Sequence, residues 1–149
     1  MPEQAVSGAS GALSQETLLA FDYGVKKIGV AIGNTLTQHA RPLCVLRPVT
    51  RVQRFQAISE LLDEWQPDRV VVGLPLTPEG GEQYASLRCR RFANQLHGRY
   101  GLAVELVDER GTSVEAQGIL CTNEDDDAVA AALILQRYFD TLSAQQQEG

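Results

Sequence analysis

Two kinds of apolar pattern alternate along the 149-residue chain. Short, almost uniformly apolar runs predict strands that a sheet buries, whereas apolar residues at helical spacing predict amphipathic helices. The predicted strands cover residues 18–22, 27–33, 43–49, 69–75 and 102–109. One predicted helix lies between Thr50 and Pro67, and the others cover residues 82–100, 112–120 and 127–142.

Residue types at the helix ends support these limits. Thr50 is expected to cap the first helix, Pro67 to end it, and Gly101 to stop the second. Thr112 and Glu115 form the sequence pattern of a capping box. The helical spacing predicts these inward-facing residues: Phe55, Ile58, Leu61, Leu62 and Trp65 in the first helix, and Leu87, Phe92, Ala93 and Leu96 in the second.

The order of elements is β-β-β-α-β-α-β-α-α, which predicts an α/β fold. Its mixed β-sheet begins with a β-hairpin, continues through parallel crossover strands and is flanked by helices. In the hairpin, Gly29 and Gly33 are expected to allow close backbone packing. The length fits one domain, predicted for residues 17–142, with flexible tails at 1–16 and 143–149.

Composition narrows the class of protein. The sequence has no apolar run of about 18 residues and no apolar leader, which argues against a membrane span and a secretory signal. Three scattered cysteines indicate reduced thiols and a cytoplasmic protein, and two histidines make a His/Cys zinc site a poor fit. The net charge of −6 conceals two basic blocks without acids, between Tyr23 and Ser59 and between Gln83 and Val104. These blocks favour a side that faces a polyanion.

Acidic residues collect where predicted strands end. Asp22 ends the first strand, Asp108 and Glu109 end the last, and residues 125–127 begin the final helix. If the first and last strands flank one another, their acids meet at one edge of the sheet. Converging carboxylates repel unless a cation lies among them, and oxygen ligands without His or Cys select Mg²⁺ or Mn²⁺. Two such ions can activate water and stabilise a leaving oxygen in phosphodiester hydrolysis.

Each acid also has a structural alternative. Asp22 could form the turn that follows it, and Asp108 could pair with Arg110. The three acids at 125–127 could favour the helix dipole, and one helix start cannot direct all three at one site.

Four motifs together resemble the signature blocks of the YqgF/RuvX family. They are FDYGVKKIGVAIG, VVGLPL, VDERGTSVEA and DAVAAALILQRYFD, and they appear in order between Leu18 and Leu142. The resemblance implies an RNase H-like fold and a metal-dependent nuclease. Members of the family are described as Holliday junction resolvases and as nucleases that mature the 5′ end of precursor 16S ribosomal RNA.

The resemblance also implies roles for individual residues. Asp22, Glu109 and Asp127 would be the catalytic acids that ligate two Mg²⁺ or Mn²⁺ ions, with Asp108 and Asp126 as alternates. Strand alternation allows only one of Asp108 and Glu109 to face the metals unless the strand has already ended, and Glu109 is favoured. The segment before Asp127, CTNEDD, is shorter and more acidic than in the family, which leaves Asp126 open. The residues predicted to contact nucleic acid are Lys26, Lys27, Arg110, Thr112 and Ser113.

Four functions are compatible with these residues and motifs. The leading one is a nuclease acting on structured nucleic acid, most simply precursor 16S ribosomal RNA in ribosome biogenesis. The nearest alternative is a resolvase of four-way DNA junctions. A non-catalytic RNA-binding or ribosome-assembly factor is the third, and an actin-like ATP-binding module the fourth, although that fold needs two such domains. A homodimer is also left open.

Overall fold

The computed structural model describes residues 15–24, 26–109 and 126–148. Its elements, in chain order, are β1 (Thr17–Tyr23), β2 (Ile28–Asn34), β3 (His39–Leu46), α1 (Arg51–Trp65), β4 (Arg69–Leu74), α2 (Tyr84–Tyr100), β5 (Ala103–Asp108) and α3 (Asp126–Glu148). The helix predicted for 112–120 and the tail predicted for 1–14 lie outside these residues. No helix in the described part of the chain is long and apolar enough to cross a membrane.

The five strands form one mixed sheet in the order β3-β2-β1-β4-β5. β2 runs antiparallel to both β1 and β3, whereas β4 is parallel to β1 and to β5. The predicted α/β fold, with a hairpin followed by crossover strands, is confirmed. Because β1, β3, β4 and β5 point the same way, their carboxyl ends share one edge of the sheet.

Each face of the sheet has its own core. One core contains Phe21, Val30 and Val72 from the strands, packed against Phe55 and Ile58 of α1 and a set of α2 side chains, Cys89, Phe92, Ala93 and Leu96. The opposite core joins strand residues Leu18, Ala20, Ala31, Val71 and Val107 to α3 residues Ala131, Ala132, Ile134, Leu135 and Phe139. Strand alternation therefore assigns α1 and α2 to one face and α3 to the other.

The predicted limits of the third strand and of the second helix were wrong. The third strand begins at His39 and ends at Leu46, because a turn at residues 35–38 lets β3 pair with β2 as soon as the chain reverses. Gln38 adopts a positive φ of 54° in this turn, and the side chain of Asn34 accepts a hydrogen bond from Thr37 N. The second helix begins at Tyr84, two residues later than expected.

The cap of α1 follows the sequence, whereas one face of α2 and the end of α3 do not. The Thr50 side chain accepts a hydrogen bond from Gln53 N in a capping box, which confirms the predicted cap. Leu87 was predicted to face inward but is 58% exposed, because Ser86, Cys89, Ala93 and Leu96 define the buried stripe of α2. α3 continues to Glu148, into the segment predicted as a tail, since the residues after Leu142 are compatible with a helix.

Candidate active site

Asp22 lies at the shared carboxyl edge of the sheet, next to the end of β1. It pairs with Gly29 of β2 and falls on the same face as Leu18 and Ala20, the face that α3 covers. Tyr23 falls on the opposite face, where it packs against the other core. The side chain of Asp22 is therefore directed toward the beginning of α3.

Gly29 allows α3 to come close to this strand end. A Cβ atom at Gly29 would overlap the backbone carbonyl of Asp127 and would lie 2.9 Å from Ala128 N. Only a residue without a side chain leaves room for the helix here, which confirms the expected close packing at Gly29. The contact brings Asp127 beside Asp22. Burial first, and the charge of Asp127 second, raise the pKa of Asp22 to about 6.

Glu109 reaches the same place across an intervening strand. The sequence placed these acids together on the condition that the first and last strands flank one another, and that condition is not met, because β4 lies between β1 and β5. Glu109 can cross β4 because Gly73 of that strand has no side chain. A Cβ atom at Gly73 would overlap Glu109 Oε2 and lie 2.5 Å from Ile134 Cδ1. Burial raises the pKa of Glu109 to about 7, with further contributions from the charges of Asp22 and then Asp108.

The two acids at the end of β5 have different surroundings. Val107 belongs to the core under α3, so Glu109 continues on that face, whereas Asp108 alternates with it and follows Leu106 on the other. The backbone carbonyl of Asp108 accepts a hydrogen bond of 2.6 Å from Arg137 Nη1 on α3. The geometry favours Glu109 over Asp108 as the partner of Asp22.

The two lysines after β1 differ in their contacts. Lys27 Nζ lies 3.2 Å from Asp127 Oδ2, and the two side chains are 43% and 30% exposed. Lys26 is exposed. Predicted as a nucleic-acid contact, Lys27 thus stands beside a candidate metal ligand. Of the remaining predicted residues, Arg110, Thr112 and Ser113 lie outside the described part of the chain, as does the side chain of Asp126.

Arg137 is a residue of this region that the sequence interpretation missed. It lies on α3 and joins that helix to the end of β5 through the carbonyl of Asp108. The sequence signal for Arg137 was a charged residue in the mostly apolar stretch ALILQRYF, where a buried helix face would normally exclude a charge. The hydrogen bond fixes β5 relative to α3 one residue before Glu109.

Asp22, Glu109 and Asp127, together termed the carboxylate cluster, are an acidic group with hard oxygen donors. Such donors suit Mg²⁺ or Mn²⁺. Among the residues that the structure describes, no three acidic, imidazole or thiol groups form a ready-made cation site. The cluster fits a divalent cation by donor type and by charge, and Lys27 already supplies one positive charge beside Asp127.

Solved structures of Holliday junction resolvases share this fold. RuvC of Thermus thermophilus, in complex with a Holliday junction substrate, matches with a TM-score of 0.56 and 18% identity, over 87% of this chain and 96% of that one. The resolvase of fowlpox virus, in complex with Holliday junction DNA, matches with a TM-score of 0.57 and 12% identity, over 85% of this chain and 98% of that one. The fold is therefore the RNase H-like fold of the resolvases, as predicted.

Sequence comparison then gives the family. The model of the RuvX family, described as Holliday junction resolvase, matches residues 16–141, and the chain belongs to this family. A Bordetella pertussis protein named "Putative pre-16S rRNA nuclease" is 69% identical over 131 residues, which are 88% of this chain and 98% of the relative. A protein of the same name from Paraburkholderia phymatum is 49% identical over 142 residues, 93% of each chain. The family predicted from the four motifs is confirmed.

Proposed function

We propose that this protein is a divalent-metal-dependent nuclease that processes the 5′ end of precursor 16S ribosomal RNA in the cytoplasm. One observation carries the proposal: three carboxylates from β1, the end of β5 and α3 are gathered at the carboxyl edge of one sheet. Two glycines provide the room for them, and the pKa of two of the three is raised. Burial raises both pKa values first and repulsion between the carboxylates second, and a buried acidic cluster of this kind favours a site that holds cations.

Asp22, Glu109 and Asp127 are the residues that would hold the ions, with Asp108 and Asp126 as the alternates at two positions. Bound Mg²⁺ or Mn²⁺ would supply an activated water and charge neutralisation at the leaving oxygen. The protein contributes the arrangement: Asp22 is fixed by its pairing with Gly29, and Arg137 fixes the end of the strand before Glu109. The described residues also provide cations for the substrate, since Lys26 is exposed at the same edge.

Lys27 has a second role in this proposal. In the structure its ammonium group neutralises Asp127 at 3.2 Å. A divalent cation held by the carboxylate cluster would neutralise Asp127 instead, and Lys27 would then be able to pair with a substrate phosphate together with Lys26. Arg110, Thr112 and Ser113, which follow Glu109 in the sequence, are proposed as further phosphate contacts.

The relatives favour ribosomal RNA as the substrate. Proteins that are 69% and 49% identical carry the name of a pre-16S rRNA nuclease. The second candidate is cleavage of four-way DNA junctions. It is favoured by the description of the RuvX family and by the junction complexes of two proteins with this fold. Both activities would use the same carboxylate cluster.

The test compares both substrates under the same conditions. The purified protein is incubated in Mg²⁺ or Mn²⁺ with a precursor RNA carrying the 5′ extension of 16S rRNA, and with a four-way DNA junction. We expect cleavage of the RNA that stops when EDTA is added or when Asp22 is replaced by Asn. The matched control is Asp63→Asn, an equal change of charge at an exposed position of α1.

Each alternative has its own outcome. Cleavage of the junction and not of the RNA would establish the resolvase. RNA binding without cleavage, together with no calorimetric signal for Mn²⁺, would indicate a non-catalytic assembly factor. RNA cleavage that persists in Asp22→Asn would remove the carboxylate cluster from the mechanism.

A further inference from the structure

Three arginines on α1 and α2 lie against aromatic rings on the face opposite α3. Arg54 Cζ is 5.4 Å from the centre of the Tyr23 ring. Arg51 and Arg99 both lie over Phe55, with Cζ atoms 5.9 and 3.9 Å from the ring centre. Arg51, Arg54 and Arg99 are termed the arginine row. Cation–π contacts hold all three guanidinium groups in place.

The arginine row has no acidic partner within the described residues. Arg69 and Arg90, by contrast, pair with carboxylates, Arg69 with Glu16 and Glu105 and Arg90 with Glu82. This difference matters because a carboxylate occupies the N–H donors of a guanidinium, whereas the face of a ring leaves them available. The three groups are therefore held in place and can still donate hydrogen bonds to an anion.

An open groove of about 550 Å³ lies beside the row, between α1 and α2. Its lining contains no acidic residue and consists of Arg51, Val52, Phe55, Gln56, Ser59 and Arg99. Val52 is 76% exposed, and nearby Val49, before α1, is 88% exposed. Cationic, amide and hydroxyl groups beside exposed apolar surface suit a ligand with both phosphates and flat apolar rings.

The arginine row begins at the same edge of the sheet as the carboxylate cluster, on the opposite face. Tyr23, the residue after Asp22, stacks on Phe92 with a centroid distance of 4.2 Å and has Arg54 on its ring. Arg51 precedes Arg54 by three positions on α1, so the two are surface neighbours about 5–6 Å apart at Cβ. Arg99 completes the row from α2. The chain is free of acids throughout residues 24–58 and 84–103, which contain the row.

We propose that the arginine row binds a single-stranded segment of the nucleic acid next to the cleaved bond. The guanidinium groups bind its phosphates, and the groove between α1 and α2 accepts one base that stacks beside Arg51 or Arg99. A duplex keeps its bases stacked inside, so the groove selects an unpaired strand. The inference rests on the proposed nuclease function and specifies the substrate of that site as one with a single-stranded flank.

The test measures binding without cleavage. Fluorescence anisotropy in EDTA follows a labelled single-stranded RNA that covers the 5′ processing site, over a series of salt concentrations. For Arg51→Gln/Arg99→Gln we expect binding about tenfold weaker, and a slope of log K against log salt smaller by roughly 0.7 per arginine removed. Arg54→Gln should give the smaller, single-residue effect.

Two comparisons separate a binding role from a structural one. The matched control is Arg41→Gln, because Arg41 also lies over a ring, 5.9 Å from Trp65, but near the start of β3 at the other end of the sheet. Its binding and salt slope should stay within about twofold of the parent. Arg51→Lys/Arg99→Lys keeps both charges and should restore the salt slope.

The outcomes distinguish this inference from the function on which it rests. Unchanged RNA affinity and salt slope in Arg51→Gln/Arg99→Gln would overturn the proposed binding role of the arginine row, even if Asp22→Asn abolishes cleavage. Equal losses on a duplex of the same sequence would overturn the single-strand preference. If the parent protein cleaves no RNA but its RNA binding still depends on Arg51 and Arg99, the nuclease proposal fails and the binding role of the arginine row is supported.

Discussion

Replacing Asp22 with Asn should stabilise the metal-free protein while abolishing its activity. In the native state the pKa of Asp22 rises from its ordinary value of 3.8 to about 6, because the carboxyl group is largely, though not fully, buried and lies near Asp127. The folded protein therefore holds this proton more tightly than the unfolded chain does. Above pH 6 the charged form costs stability, and asparagine removes the charge with little change of shape.

The size of the effect follows from the pKa. A rise from 3.8 to about 6 corresponds to about 3 kcal/mol, at about 1.4 kcal/mol per pKa unit. Because the side chain is partly exposed, solvent screening lowers this to about 2 kcal/mol. For a chain of 149 residues that equals a rise in Tm of roughly 4–8 °C.

The dependence on pH identifies the cause. Stability held by the protonated form is complete below the unfolded pKa of 3.8 and is lost as the pH rises through about 6. The gap between Asp22→Asn and the parent should therefore be small near pH 4, widen through pH 6 and stay constant above pH 7. Urea unfolding in EDTA across this range, with Asp63→Asn as the control, measures the gap. If Asp22→Asn is no more stable than the parent at pH 8, the carboxylate is not under electrostatic strain and the argument is refuted.

Three further predictions follow from the same cluster. Cleavage should increase as the pH rises through about 6 to 7, because Asp22 and Glu109 must lose their protons before they can hold a cation. A higher Mn²⁺ concentration should move the pH profile of cleavage to lower pH. A flat profile in that range would contradict this prediction. Gly73→Ala should displace the Glu109 side chain and reduce the rate of cleavage about tenfold or more. It should also lower the free energy of unfolding in urea by about 1–3 kcal/mol. Gly98→Ala is its control, because a Cβ atom there meets nothing within 4 Å. Lys27→Met should tighten Mn²⁺ binding, measured by calorimetry, up to about fivefold, because a partly exposed ion pair with Asp127 is worth up to about 1 kcal/mol. The control variant Lys26→Met should leave Mn²⁺ binding unchanged. Equal Mn²⁺ affinities in both variants would show that Lys27 does not compete with the ion.

The sequence alone determined most of the secondary structure and the chemistry of the candidate site. Strand and helix patterns, the cap at Thr50 and the acids at strand ends depend on residues close together in the chain, so they can be recognised without tertiary contacts. Strand alternation also predicted that, if the strand continued, only one of Asp108 and Glu109 could face the cluster. The preference for Asp22 followed from an acid at the end of an apolar strand.

The tertiary structure decided how these parts meet. The order of elements does not show that β4 lies between β1 and β5. This position makes Gly73 important, because the absence of a side chain there lets Glu109 reach the cluster. The exposure of Leu87 depended on which side of α2 the sheet covers. The Lys27–Asp127 pair joins residues 100 positions apart, and the arginine row needs α1, α2 and β1 side by side. Contacts of this kind depend on packing between distant segments, which local patterns do not encode.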